Sequence, residues 1–442
     1  MSIVTQVTEL LQGLMSEAMD ELARKTGCVK RERKFSGSKL LLSLVLTVLR
    51  NPKAKLRDYQ TTAAQLGVAV TEEAIAQRFT PDLVKFLEPA LKQVLGRVLS
   101  SDAPPVELLG RFTQVVIGDS TTITLGDEFA DQFPGCGGTH GSGKAALKIQ
   151  VFWDLRHGTL HVMLEPGRAS DAKSPITAIP LPAGSLSILD LGYFSLERFE
   201  RVERAEGYWL SRLQPGTGVF DEQGKCQNLP RFLEENADHG VVDVRVQIGK
   251  KRLPCRLVAV RVPAEVAAER RRRIRVKARD HGREASQEYL AAQDWTFFVT
   301  NCDASLLTWK EVVVLYRARW QIERLFKLWK SYNHLADREV HAPAAKQLAE
   351  VYIKLIAVTV QHGVLLMTVW FDSRRSLWRA AARLRGWIGQ LLAVIDETAK
   401  LERVLARMRE SLAKSTRVNS RQKHPSCFQL LNNPELLEYN VA

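Results

Sequence analysis

Apolar positions recur at helical spacing through the first hundred residues and then change to short β-branched runs. Residues 1–25 are amphipathic, and residues 38–50 form a strongly apolar helix stopped by Asn51-Pro52. Residues 56–79 divide at Gly67. A helix and its turn end at Val68, and Thr71-Glu72-Glu73-Ala74 opens a second helix with a capping-type start. This is the pattern of a helix-turn-helix. Ser100-Ser101-Asp102-Ala103-Pro104-Pro105 reads as a linker. Beyond it strands are expected over 112–125, 145–155, 159–165, 185–190 and 208–213, with a hairpin across Arg156-His157-Gly158. Helices are expected over 174–181 and 194–207.

Three strands, helix, strand, helix, strand is the outline of a ribonuclease-H-like sheet with helices packed on it. The outline is interrupted at Gln214. Pro215, Gly216 and Gly218 break the chain, alternation returns in 241–246 and 257–262, and 265–283 forms a very basic helix. Residues 296–301 re-enter the sheet, and a second helical, basic region follows over 336–412. The expected organisation is α/β. A helical region spans 1–105, and a ribonuclease-H-like core lies in two parts, 106–214 and 296–390. A β-rich insertion with its basic helix spans 215–295, and a helical, basic C-terminal region covers 391–442.

One stretch organises the rest: Leu315-Tyr316-Arg317-Ala318-Arg319-Trp320-Gln321-Ile322-Glu323-Arg324-Leu325-Phe326-Lys327-Leu328-Trp329-Lys330. Neither Pro nor Gly interrupts it, so a continuous α-helix is expected. On a wheel of about 100° per residue, Arg319, Glu323 and Lys330 fall within roughly 60° of Tyr316. Leu315, Ile322, Phe326 and Trp329 share the neighbouring arc. One stripe is core, and the stripe beside it gathers a phenol, two cations and a carboxylate.

The formal net charge of +14 and a pI near 9.6 point to a polyanionic partner, nucleic acid first among them. Lys30-Arg31-Glu32-Arg33-Lys34, Lys53 and Lys55 make region 1–105 a candidate for holding DNA phosphates. Residues 270–283 carry eight cations against one acid, and Arg270, Arg271, Arg272 and Arg273 head that run. The six cysteines are scattered, with no CxxC pair, which argues against a zinc module and for a reducing cytoplasm. Glu9 and Glu17 exclude a signal peptide at the N-terminus. The longest uncharged apolar run, 355–371, is short for a membrane span and reads as a buried helix, so no membrane partner is expected.

The sheet outline also says where carboxylates belong: within the first strand, at the end of the fourth, and on a later helix. Asp119, Asp190 and Glu323 stand there, each beside apolar residues. Carboxylates in such surroundings are costly unless paired. Three converging would repel, and hard divalent cations such as Mg²⁺ or Mn²⁺ relieve that repulsion. Two ions about 4 Å apart suit phosphoryl transfer.

Tyr316, Arg319, Glu323 and Lys330 reproduce Tyr-x2-Arg-x3-Glu-x6-Lys, and here the chain resembles DDE transposases of the insertion sequence 4 type. Gly118-Asp119-Ser120-Thr121 resembles their first acidic motif, and Asp190-Leu191-Gly192-Tyr193-Phe194 their second. The long gap before Glu323 matches the β-rich insertion that members carry. The resemblance implies that Asp119, Asp190 and Glu323 ligate two Mg²⁺ or Mn²⁺ ions. Tyr316, Arg319 and Lys330 would hold phosphates near the cleaved end. It further implies cut-and-paste transposition by a homodimer on terminal inverted repeats and target DNA, with a hairpin intermediate, in the bacterial nucleoid. Hairpin formation in this family is helped by a flipped base held by an aromatic, and Trp295 is the candidate.

Two other signals carry less. Gly138-Thr139-His140-Gly141-Ser142-Gly143-Lys144-Ala145 approaches a P-loop, but Ala145 stands where Ser or Thr must touch Mg²⁺. Asp154 and Asp171 are spare carboxylates, Asp154 at a hairpin turn. The competing readings are a metal-dependent nuclease or resolvase on the same fold, and an inactive relative that binds DNA. The Tyr-Arg-Lys set argues against the first, and the intact acidic residues against the second.

Overall fold

The computed structural model describes residues 2–31, 34–137, 144–337, 339, 342–421 and 423–437 as a mixed α/β fold of strands and flanking helices. Residues 138–143 of the P-loop-like stretch, and Glu32 and Arg33 of the first basic cluster, lie outside the described residues. The strands are β1 (Val115–Thr124), β2 (Ala146–Asp154), β3 (Leu160–Pro166), β4 (Leu186–Leu189), β5 (Tyr208–Arg212), β6 (Val219–Phe220), β7 (Cys226–Gln227), β8 (Val241–Ile248), β9 (Leu253–Arg261) and β10 (Trp295–Thr300). The chain divides into two compact units. The first holds Met1–Pro105, Ser120–Ala169 and Ile322–Asn419; the second holds Val106–Asp119, Ser170–Gln321 and Ser420–Ala442.

The second unit carries the strand order β1-β4-β5-β10-β9-β8-β6-β7. β1, β4 and β5 run parallel, and β10, β9 and β8 are antiparallel to their neighbours. Both faces of the parallel strands are covered, which is why Val115-Val116-Ile117 and all of β4 are buried and read as continuous apolar runs. The helix Leu196–Arg204 crosses from β4 to β5 and stacks Phe199 on Trp209, ring centres 4.1 Å apart. Each strand expected from the pattern forms. The 215–295 segment continues the same sheet past β10, with Arg256 opposite Thr300, and it adds the short β6 and β7, which no alternation signals.

In the first unit β2 and β3 form the hairpin expected across Arg156-His157-Gly158. Asp154 closes its turn. Its carboxylate accepts from the Arg156 and His157 backbone N–H groups and faces His157 Nδ1 at 2.8 Å. The helix Ala344–Val369 is the centre of this unit. Among the described residues five helices pack on it: Ile3–Gly13, Gly37–Arg50, Pro81–Leu95, Leu377–Leu384 and Thr398–Ser415. Among the described residues it is the helix long and apolar enough to cross a membrane, and 94% of its most apolar window is buried inside the fold. It is the buried helix that the apolar run 355–371 predicts, longer at its start.

Three expectations need correction. Residues 1–25 are two helices, Ile3–Gly13 and Glu17–Lys25, because the chain turns at Leu14. The expected helix over 174–181 is a single 3-10 turn, Pro175–Ala178. The stretch 315–330 is not one regular helix. The α-helix Trp309–Ala318 gives way at Arg319, whose N–H bonds the Tyr316 carbonyl three residues back. Trp320–Lys327 then resumes, and Leu328–Tyr332 widens to a π-helix.

Candidate active site

Strand register brings the first two carboxylates together. Gly118 lies opposite Leu189 in the parallel pair β1–β4, so Asp119 and Asp190 follow at the same level. The Asp190 N–H donates to the Gly118 carbonyl at 3.2 Å. Asp190 ends β4 and caps the 3-10 turn Leu191–Tyr193, its Oδ2 accepting from the Gly192 N–H. A Cβ at position 192 would stand 2.9 Å from Asp171 Oδ2, the movable end of that side chain.

The helix Trp309–Ala318 brings in the cation. Its start is held by a capping box: the Thr308 hydroxyl accepts from the Glu311 N–H and the Glu311 carboxylate accepts from the Thr308 N–H. Arg111 anchors the same carboxylate at 2.9 Å. Val312, Val313, Val314 and Leu315 are buried beyond this cap, and Tyr316 packs on Phe298 of β10, 4.9 Å between ring centres. Arg319 then lands between the aspartates. Its Nη1 donates to Asp119 Oδ2 at 2.9 Å, and its Nη2 stands 3.4 Å from Asp190 Oδ1. The Arg319 side chain is 10% exposed, that of Asp119 20% and that of Asp190 39%. One buried cation is shared by two carboxylates that solvent still reaches.

Two guanidinium groups flank the Tyr316 ring, Arg212 at 5.7 Å and Arg319 at 5.8 Å from its centre. Burial pushes the Tyr316 hydroxyl above the ordinary phenol range, against the pull of the two arginines. The hydroxyl therefore stays protonated at neutral pH and can donate to a phosphate oxygen. Sequence reasoning missed Arg212. It ends β5, and nothing local separates it from the other arginines.

In the first unit, Lys330 lies on the π-helix and donates from Nζ to the Thr122 carbonyl of β1 at 2.7 Å. Burial lowers its pKa below the usual lysine range. Glu323 is half-buried on Trp320–Lys327 of that unit. Among the described residues, no group of three His, Cys, Asp or Glu side chains gathers closely enough to hold a metal ion. Within the second unit Asp119 and Asp190 face the Arg319 guanidinium.

A cleft of about 340 Å³ in the second unit runs from Leu191, beside Asp190, to the basic helix Ala264–Asp280, with Arg212, Arg270, Arg273 and Trp295 among its lining. Arg270 is half-buried there, bonded to the Trp295 carbonyl at 3.2 Å and the Thr296 hydroxyl at 3.0 Å. Arg271 pairs with Asp294 at 2.5 Å, and Arg272 and Arg273 both pair with Glu269. Arg271, Arg272 and Arg273 thus share two carboxylates, while Arg270 is held by two neutral oxygens. Trp295 is 2% exposed and belongs to the core; its indole N–H donates to Glu234 and Arg261 covers its ring at 4.7 Å. Trp295, the candidate for holding a flipped base, is thus a buried side chain at the start of β10.

Comparison with known proteins gives the family. Residues 110–358 match the family described as the transposase DDE domain, a span that holds Asp119, Asp190, Tyr316, Arg319, Glu323 and Lys330. The chain is 25% identical to the transposase for insertion sequence element IS231B of Bacillus thuringiensis subsp. berliner, over 98% of this chain and 95% of that protein. It is 27% identical to the IS231F transposase of Bacillus thuringiensis subsp. israelensis, over 96% and 94%. It is 30% identical to the IS421 transposase of Escherichia coli, over 81% and 93%. With the matched span covering more than half its length, the chain belongs to the DDE transposase family, enzymes that act on DNA.

Proposed function

We propose that this chain is a cut-and-paste transposase of the insertion sequence 4 type, acting on the terminal inverted repeats of its own element and then on target DNA. The observation that carries the reading is the pairing of Asp119 and Asp190 on adjacent parallel strands under Arg319. The parallel order β1-β4-β5 with a crossover helix supports a ribonuclease-H-like core, and the long β-rich excursion over 215–295 supports an insertion within it.

Enzymes of this family use divalent metal ions. Asp119 and Asp190 offer the hard oxygen donors such ions require, and Glu323 is the third donor of the proposed set, for two Mg²⁺ or Mn²⁺ ions. When bound, they supply Lewis-acid assistance and a lowered water pKa for displacement at phosphorus. Arg319 neutralises the aspartates in the metal-free protein; with ions and DNA in place it turns to a phosphate. Tyr316 donates its hydroxyl, and Lys330 contributes an ammonium whose burial concentrates its field. Arg270 and its neighbours lead the strand along the cleft, and Trp295 meets an extrahelical base if the cleft opens.

The proposed sequence begins with a nick by water. The freed 3′-hydroxyl attacks the opposite strand and closes a hairpin on the element's end. A second water opens it, and the 3′-hydroxyl attacks target DNA. Every step is displacement at phosphorus, so one set of side chains serves all four. The working form is a homodimer on paired ends. Free thiols at all six cysteines fit a reducing bacterial cytoplasm.

The test is incubation of the protein with its element's ends and Mg²⁺, resolved on denaturing gels. Nicks, hairpins and joined products together support transposition. Nicks without joining would favour the nuclease reading, and no cleavage in Mg²⁺ or Mn²⁺ would remove the enzyme assignment.

A further inference from the structure

The first unit carries a second basic surface that the acidic site does not use. Residues 371–385 hold Arg374, Arg375, Arg379, Arg383 and Arg385, no lysine, and one acid, Asp372. A lone antiparallel bridge sets Arg375 opposite Arg417. It is locked by Ser376 N–H to the Thr416 carbonyl at 3.0 Å and Val418 N–H to the Arg374 carbonyl at 2.8 Å. Arg379 reinforces it, donating to the Arg417 carbonyl at 2.7 Å. Two stretches some forty residues apart thus present their arginines side by side, and Arg374, Arg379, Arg383 and Arg417 are exposed.

Aromatic rings are interleaved with these cations. Arg385 lies 4.0 Å over the Tyr332 ring and donates to the Tyr332 carbonyl at 3.0 Å. Tyr332 meets Trp378 edge-on at 5.7 Å. Arg375 and Arg409 approach Phe371 at 5.2 and 5.1 Å. Stacking of this kind fixes the guanidinium planes and reduces the freedom lost when a phosphate is gripped. Asp372 already pairs with Arg374 and Arg375, so among the described residues the surplus charge of the patch has no carboxylate of its own.

The patch is joined to the motif lysine by one turn of chain. Lys330 and Tyr332 share the π-helix Leu328–Tyr332; Lys330 reaches back to Thr122, and Tyr332 packs on Trp378 and Arg385. We propose that Tyr332, Arg379, Arg383, Arg385 and Arg417 form a phosphate-backbone track for the duplex of the element's own end, continuing from Lys330. This rests on the transposase reading, since it takes Lys330 to stand at the end DNA. The chemistry is that of backbone positioning rather than base reading: arginine forks on successive phosphates.

The test measures binding of the full chain by fluorescence anisotropy across a salt series. One duplex carries the element's terminal inverted repeat, and the other is unrelated and of equal length. Arg383→Gln with Arg417→Gln is the main variant, and Arg383→Gln alone is the second, should the pair disturb the bridge; melting temperatures check folding. The proposal expects the double variant to bind the end duplex about tenfold more weakly and to lower the salt slope by about 1.8, two contacts' worth. An unchanged affinity and slope in folded variants overturns it while leaving end binding intact. A loss confined to the unrelated duplex also overturns it, assigning the surface to target DNA. If the wild-type chain does not prefer the end duplex, the functional reading itself fails, and the track with it.

Discussion

The Arg319 guanidinium spans two carboxylates, donating to Asp119 at 2.9 Å and approaching Asp190 at 3.4 Å. A cation in that position relieves the repulsion between the two carboxylates, the role proposed for divalent ions in the working protein. Replacing it by Arg319→Gln leaves two partly exposed carboxylates facing each other, at a cost of about 1–2 kcal/mol. The expected outcome is a lower melting temperature in EDTA and a larger stabilisation by Mn²⁺ than the wild type shows. Equal Mn²⁺ shifts in both proteins would mean that Arg319 and the ion do not compete.

Asp119→Asn and Asp190→Asn keep shape while removing charge. Each should lower end cleavage by at least about 100-fold, more than outer-shell changes around metals usually cost, and leave end binding within about threefold. Cleavage assays in Mg²⁺ and Mn²⁺, with binding measured in EDTA, separate the two effects. A variant that cuts at wild-type rate removes that aspartate from the chemistry.

Lys330 bonds one backbone carbonyl, so its loss should be mild for the fold. Lys330→Ala is expected to cost less than about 1 kcal/mol of stability and to slow cleavage more than about tenfold. Unfolding curves and single-turnover cleavage report the two separately. The reverse pattern, a large stability loss with normal turnover, would make Lys330 structural.

His362 sits in the central helix of the first unit, its Nε2 2.8 Å from the Gly158 carbonyl. Burial lowers its pKa from 6.5 to about 4. The unfolded chain therefore binds the proton more readily between those values. The stability tied to a neutral His362 is complete above pH 6.5 and is lost as pH falls toward 4, about 3 kcal/mol in all. Unfolding measured between pH 7.5 and 4.5 should show a flatter profile for His362→Gln than for the wild type. Parallel profiles would mean that other groups set the acid limit.

Gly158 closes the β2–β3 hairpin at φ +73°, and a Cβ there would drive into the Leu366 side chain and meet Trp370 at 3.1 Å. Gly158→Ala combines a left-handed backbone with overpacking, so it should destabilise by about 2–3 kcal/mol. Urea unfolding at neutral pH checks this, and a loss under about 0.5 kcal/mol would show that the central helix yields at that point.

Much of this protein is written locally. Val115-Val116-Ile117 before Asp119 and Leu186-Ser187-Ile188-Leu189 before Asp190 are continuous apolar runs because both faces of a parallel strand are covered, and that signature survives without any knowledge of neighbours. The same holds for the helix behind the apolar run 355–371 and for the spacing of Tyr316, Arg319, Glu323 and Lys330. Pairing is another matter. That Gly118 lies opposite Leu189, that Arg319 is shared by two aspartates and that Arg212 flanks Tyr316 depend on register between distant segments. So do the bridge joining Arg375 to Arg417 and the burial of Trp295. The winding of the motif helix is likewise not legible in propensity, which favours one regular helix where the structure breaks at Arg319 and widens over Leu328–Tyr332. Residue type and local periodicity follow from the chain; which charge meets which is decided by contacts that exist only after it has folded.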